Sequence, residues 1–550
     1  MPRILLIEDD PDQRRLRTLL LESRGHQVHP ASCAEEALQQ LSAADTLPDC
    51  VLMDLRLPRT EDGRRLIRAL HEQHPGLPVI VLTGAAGFES SPERALVREV
   101  LRKPVRTERL LNALSRLASI LMACWLALPA SAQQRSFPFT LASAAEAVAE
   151  LELSSPSSDW GAAGREAAVA AIGLDGETKH HVFVFGEKDS RRYTVFLGPL
   201  APGPHTLLVE RDARHSAKGS DLAIGDARIR ALAPGDPLYE PVRHAPVLFA
   251  RADTAGRFSD ALLLVYCRRG RDARGPWLEY TAVFSNEDGG TSTRDLMARW
   301  GRTTDIEYVY RVWLDAEGRP ARTLIQTREH QDVPYDGPYF GLHPMLAPVT
   351  DNNMVEPVTG DAPPLRFQLA PVLADLAGGS RELVMDGEPF TYEIACKEIR
   401  REGKIRAPGQ WIDGEKIADP RRYFIAEFLA ETPNAAVQIL YRFRGESLWR
   451  GSSLGIARNF IERDGWVRTA AELPEGRGFS EIGEFAFQCL SRRDLERQPV
   501  PKNGRCRIVR LGKFLTFDSR CRPVDAAAAP ATPENGWQLN VGEMVSFSHD

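Results

Sequence analysis

The chain has 550 residues, too many for one ordinary domain, so two to four are expected. Its 69 Lys and Arg against 75 Asp and Glu leave a formal net charge of −6, which argues against a nucleic-acid binder, and no nucleic-acid partner is predicted. Eight cysteines are too few for a disulfide scaffold, and no Cys-x-x-Cys or His-rich spacing marks a zinc site.

In chain order, Arg3–Ile7 is an apolar strand ending at Glu8, Asp9 and Asp10. Arg14 to Glu22 follows with leucines at 16, 19, 20 and 21 as a helix face. After a short strand at Gln27–His29, Ser32 and Glu35 have capping-box spacing ahead of Ala37, Leu38 and Leu41. Val51-Leu52-Met53-Asp54 is a short apolar run ending in a carboxylate, as buried parallel strands do. A helix over Arg64–His71, a strand over Leu77–Leu82 ending at Thr83, a helix from Pro92, a short strand at Val100-Leu101 and a helix over Glu108–Leu117 complete the series. Five strands alternating with five helices predict a doubly wound parallel α/β sheet over residues 1–118.

In such a sheet the strand ends gather Glu8, Asp9, Asp54, Thr83 and Lys103 on one edge. Clustered carboxylates need a counter-charge, and Mg²⁺ suits an all-oxygen set shared with a phosphate. Asp54 would then be the nucleophile toward phosphorus, with Lys103 and Thr83 holding the transferred group. Five separated motifs in this order resemble the receiver domain of two-component response regulators, over about a fifth of the chain. The resemblance implies a flavodoxin-like fold and Asp54 as phospho-acceptor. It implies Mg²⁺ on Glu8, Asp9, Asp54 and the main-chain carbonyl of Arg56, with Thr83 as switch hydroxyl and Lys103, before a typically cis Pro104, as the phosphate-contacting lysine. A histidine kinase or histidine phosphotransfer protein is the implied partner. Val100 stands where the family has its switch aromatic, so the usual coupling to Thr83 is absent.

Leu117 to Ala132 is apolar or small throughout, follows Arg116 and ends in Ala130-Ser131-Ala132, the grammar of a signal peptide. Its sixteen residues also border on a membrane span. Upstream arginines and lysines would keep the receiver cytoplasmic and send the remainder to the periplasm or exterior.

Residues 134–150 read as an Ala/Ser-rich linker, 151–235 as a small β-sandwich, 240–523 as a larger mainly β, sandwich-like region, and 524–550 as an Ala/Pro-rich linker and tail. Phe390 to Cys396 reads as one of the strands. Within this part Glu279, Asp305, Glu307, Glu329 and His330 are the polar candidates for a glycan-hydrolysing or glycan-binding site, with no catalytic motif behind them. In an oxidising compartment Cys506 could pair with Cys521, with Cys489 as a competing partner. Three accounts of the whole follow: a signalling protein joined through a membrane segment to an outer β-rich region, a wholly cytoplasmic regulator with 117–132 buried, and a receiver run into a secreted protein by fusion or a misread gene boundary.

Overall fold

The computed structural model describes residues 3–22, 26–43, 48, 50–74, 77–84, 88, 91–103, 105, 110, 134–176, 180–251, 253–407, 416–454, 456–492, 503–527 and 530–548. The chain divides into two compact units, Met1–Ala130 and Ser131–Asp550. The predicted apolar segment 117–132 and Pro104 lie outside the described residues. Among the described residues no helix is long and apolar enough to cross a membrane.

The first unit holds β1 (Arg3–Ile7), α1 (Pro11–Glu22), β2 (Gln27–Ala31), α2 (Ala34–Ala43), β3 (Cys50–Asp54), α3 (Thr60–Gln73), β4 (Val79–Thr83) and β5 (Glu99–Arg102). The strands form one parallel sheet in the order β2-β1-β3-β4-β5. Alternate residues feed two cores. Leu5, Ile7, Val51, Met53, Val79 and Val81 face one side; Ile4, Leu6, Cys50, Leu52, Ile80 and Leu82 face the other. A sheet covered on both faces explains the near-continuous apolar runs of β1, β3 and β4.

Local expectations shift in three places. Ser32 bonds Glu36 rather than Glu35, through both its amide and its hydroxyl at 2.6 Å, because the helix begins at Ala34. The segment from Pro92 is a single 3-10 turn, Pro92–Leu96. On α1, Leu16 and Leu19 are 62% and 57% exposed, while Arg14, Arg17, Thr18 and Leu21 form the more buried stripe.

The second unit is built of mainly antiparallel sheets, as expected for mainly β, sandwich-like domains. Its first sandwich pairs a three-stranded sheet (Arg191–Leu200, Ala145–Ser154, Ala223–Leu232) with a four-stranded one (Gln134–Leu141, Gly203–Arg211, Ala168–Leu174, His180–Val184). The expected linker 134–150 is therefore mostly strand. Phe137, Phe139 and Leu141 alternate toward the core, and Gln134–Leu141 finds its hydrogen bonds along Gly203–Glu210. A six-stranded sheet centred on Leu262–Asp272, Gly275–Phe284 and Asp305–Leu314 follows. The last sandwich is made by Tyr423–Glu431, Gly465–Glu472 and Arg505–Phe517 against Ala435–Phe443 and Ile482–Ser491.

Two further expectations are corrected here. Phe390–Arg401 is an α-helix, its inner face carrying Ile394, Ala395 and Ile399 at helical spacing, where a strand was expected. The expected tail 524–550 includes the strands Pro523–Ala527, Trp537–Asn540 and Met544–Ser548, with Trp537 and Phe547 packed on the last core.

Candidate functional site

β3 delivers Asp54 to the carboxyl edge of the sheet, between the ends of β1 and β4, where open α/β sheets place their ligands. The strand is buried throughout, so the carboxylate cannot swing away without breaking its ladder. Close approach of α3 fixes the loop that follows. A Cβ on Gly63 would meet the Leu55 carbonyl oxygen at 2.0 Å, so only glycine lets the helix start there.

Around Asp54 the predicted residues converge. Lys103 Nζ donates to Asp54 Oδ2 at 2.5 Å, and the Arg56 amide donates to Oδ1 at 3.2 Å. The Lys103 amide bonds the Thr83 carbonyl at 2.9 Å, which ties the ends of β4 and β5 together. Thr83 itself is buried beside Asp54's neighbour Leu82. Glu8, Asp9 and Asp54 each offer an oxygen, and these lie within 4.8 Å of one another. An all-oxygen set of three carboxylates suits Mg²⁺, which takes one or two carboxylates and keeps several waters. The acidic cluster matches the receiver-domain Mg²⁺ motif.

Two residues at this edge were not singled out from sequence. Arg17 donates to Glu8 through Nη1, with side chains 14% and 2% exposed. Arg14 Nη1 donates to the carbonyls of Glu8 at 2.6 Å and Asp9 at 3.2 Å. Burial pushes the Arg17 guanidinium below its ordinary value, and the Asp54 charge pulls the other way. The signal available in sequence was the spacing of Arg14, Arg17, Thr18 and Leu21, one face of a helix.

The candidates of the second unit are not gathered into one site. Glu279 is held by Arg268 at 3.0 Å and by Arg311, whose Nε lies 2.9 Å away, an arrangement that uses up its charge structurally. Glu329 and His330 sit on an exposed turn, whereas Asp305 is buried and accepts from Asn353 at 3.1 Å. Asp305 and Glu307 share a hydrogen bond, and burial pushes both carboxyls up, with the Asp305 charge adding to the rise at Glu307. Burial, together with Asp305, raises Glu287 to about 7.

The expected Cys506–Cys521 pairing is overturned: Cys506 takes its competing partner Cys489 instead, and Cys521 pairs with Cys396. Cys489 and Cys506 sit on the neighbouring strands Ile482–Ser491 and Arg505–Phe517, while the helix Phe390–Arg401 brings Cys396 to the turn that carries Cys521. The spacing of Cys506 and Cys521 could not show this, because the helix was read as a strand. Cys33, Cys50 and Cys267 take part in neither of these disulfides.

The sequence profile of the response regulator receiver domain matches residues 4–115. The virulence transcriptional regulatory protein PhoP of Salmonella typhimurium is 40% identical over 93 residues, 17% of this chain and 40% of that protein. The transcriptional regulatory protein PhoP of Escherichia coli O6:H1 is 33% identical over 132 residues, 23% of this chain and 58% of its own length. The chain thus spans about half the length of the curated relatives it matches. A solved receiver domain protein of Clostridium thermocellum is 26% identical, over 22% of this chain and 98% of that one, with a TM-score of 0.21. Residues 4–115 of this chain are a response regulator receiver domain.

Proposed function

We propose that the receiver takes a phosphoryl group onto Asp54 in a Mg²⁺-dependent two-component phosphorelay, from a histidine kinase or a histidine phosphotransfer protein. The convergence of Glu8, Asp9 and Lys103 on Asp54 supports this reading. A carboxylate oxygen of Asp54 attacks phosphorus, the donor's P–N bond breaks, and the imidazole leaves with the bond's electron pair. Lys103, already on Asp54, balances the charge that gathers on the phosphoryl oxygens, and the Thr83 hydroxyl turns to donate to one of them. Glu8, Asp9, Asp54 and the Arg56 carbonyl would hold Mg²⁺, which would supply the remaining charge compensation. Acetyl phosphate or a phosphorylated kinase with Mg²⁺ should label the wild-type chain and leave D54N unlabelled. Equal labelling of D54N would remove Asp54 from the role.

A second reading is favoured by one observation: both disulfides among the described residues lie in 131–550, and Cys33 and Cys50 of the first unit take part in neither. In this reading the second unit is exported behind 117–132, and fusion or a misread gene boundary joined it to the receiver. Its first strand begins at Gln134, directly after the Ala-Ser-Ala pattern. Asp305 and Glu307 are then the carboxyl pair to test against glycans, with E307Q as the control in hydrolysis and binding screens. Loss of folding in E307Q without detectable glycan activity in the wild type would return both residues to a structural role.

A further inference from the structure

The stripe that α1 turns toward the sheet carries arginines at 14 and 17, while Leu16 and Leu19 stand in water. Leu21 of the same stripe is buried as expected, but at Leu16, Leu19, Arg14 and Arg17 the orientation runs against simple burial preference, which would put those leucines inside and the guanidinium groups out. What offsets it is the acidic edge. Arg17 is seated on Glu8 with both side chains largely shielded from solvent, and Arg14 caps the carbonyls of Glu8 and Asp9. Lys103 is seated on Asp54. Two of the three carboxylates, Glu8 and Asp54, thus each face a cation supplied by the chain itself, while Arg14 sits on the neighbouring backbone carbonyls.

We propose that Arg17 is a built-in counter-cation that competes with Mg²⁺ for Glu8 and so holds the receiver's metal affinity low. This rests on the metal reading given above. A divalent ion is drawn to a pocket by its uncompensated negative charge, and a guanidinium fixed on Glu8 removes part of that charge and occupies one carboxylate oxygen. Loading the metal therefore requires Arg17 to release Glu8 or share it. The arginine acts on the ion through Glu8, as a positioning residue rather than a catalytic one.

Calorimetric titration of MgCl₂ into the purified full chain tests this, with the D9N chain titrated alongside to subtract ions bound elsewhere. Arg17→Met should bind Mg²⁺ roughly tenfold more tightly than wild type, the scale of one lost charge interaction at a partly buried site. Arg17→Gln, equally neutral, should shift the affinity the same way, and either variant suffices if the other fails to fold. Arg17→Lys keeps a cation on Glu8 and should stay near wild type. In an E8Q background the Arg17→Met gain should shrink to about twofold or less, since the shared partner is gone. Equal or weaker binding in the folded neutral variants than in wild type overturns the proposal, as does a full gain in the E8Q background. If wild type, Arg17→Met and Arg17→Gln all show no Mg²⁺ binding that depends on Asp9, the metal reading itself fails.

Discussion

Asp54 and Lys103 are joined by the shortest described contact that a nucleophile at this edge makes, 2.5 Å. Replacing Lys103 with alanine leaves Asp54 on its strand but removes the cation that faces the transferred group. Labelling by acetyl phosphate should slow by about a hundredfold or more, the usual loss when one aimed electrostatic contact is deleted. Farther along the chain, Glu398 is fully buried, accepts from Trp160 Nε1 at 2.8 Å, and is pushed up to about 7, first by burial and then by the charge of Glu402. Its folded value lies above its unfolded one, so its contribution to stability is complete below about pH 4.5 and is lost as pH rises through about 7. Melting curves should therefore show the second unit losing on the order of 3 kcal/mol across that window from this group. The E398Q chain, which cannot titrate there, should show a flatter dependence; an unchanged slope would mean that Glu398 is not the group responsible. Asp54, Thr83 and Lys103 were legible as sequence because strand ends announce themselves. Glu398 was not, since only the fold places a helix carboxylate against Trp160.

At the scale of elements, the helices and cysteines of the second unit carry the clearest consequences. The pair Cys489–Cys506 closes a loop of 17 residues and Cys396–Cys521 one of 125. On chain-entropy grounds, losing the first should cost about 3 kcal/mol and losing the second somewhat under 5 kcal/mol. Denaturant melts of C489S and C396S, run beside the wild type, measure both. Peptide mapping without reductant should recover the 396–521 and 489–506 links, and a 506–521 link would refute this arrangement. The helix Phe390–Arg401 was misread because Phe390 to Cys396 has a strand's composition, and its buried face becomes visible only over three turns. At α1 the four leucines marked the inner face only in part: Leu21 is buried and Leu20 half-buried, while Leu16 and Leu19 are exposed and Arg14 and Arg17 turn to the acidic edge.

Over the whole molecule, two units share one chain, and both disulfides among the described residues lie in the second. If the second reading holds, intact mass and N-terminal sequencing of the cellular product should find a species beginning at Gln133, separate from the receiver. A single 61.1 kDa species carrying both units would refute it. The order of strand, helix and strand end determined by itself the α/β sheet of residues 4–115 and the convergence of Glu8, Asp9, Asp54, Thr83 and Lys103. Parallel strands connected by helices have few arrangements, and all of them put those ends on one edge. In the β-rich unit the short strands were visible, but their partners were not, because antiparallel pairing over long separations leaves no local mark. Only tertiary structure could decide that 134–150 is strand, that Cys396 meets Cys521, and that Arg17 turns inward to Glu8, since each depends on a partner that sequence spacing does not reveal.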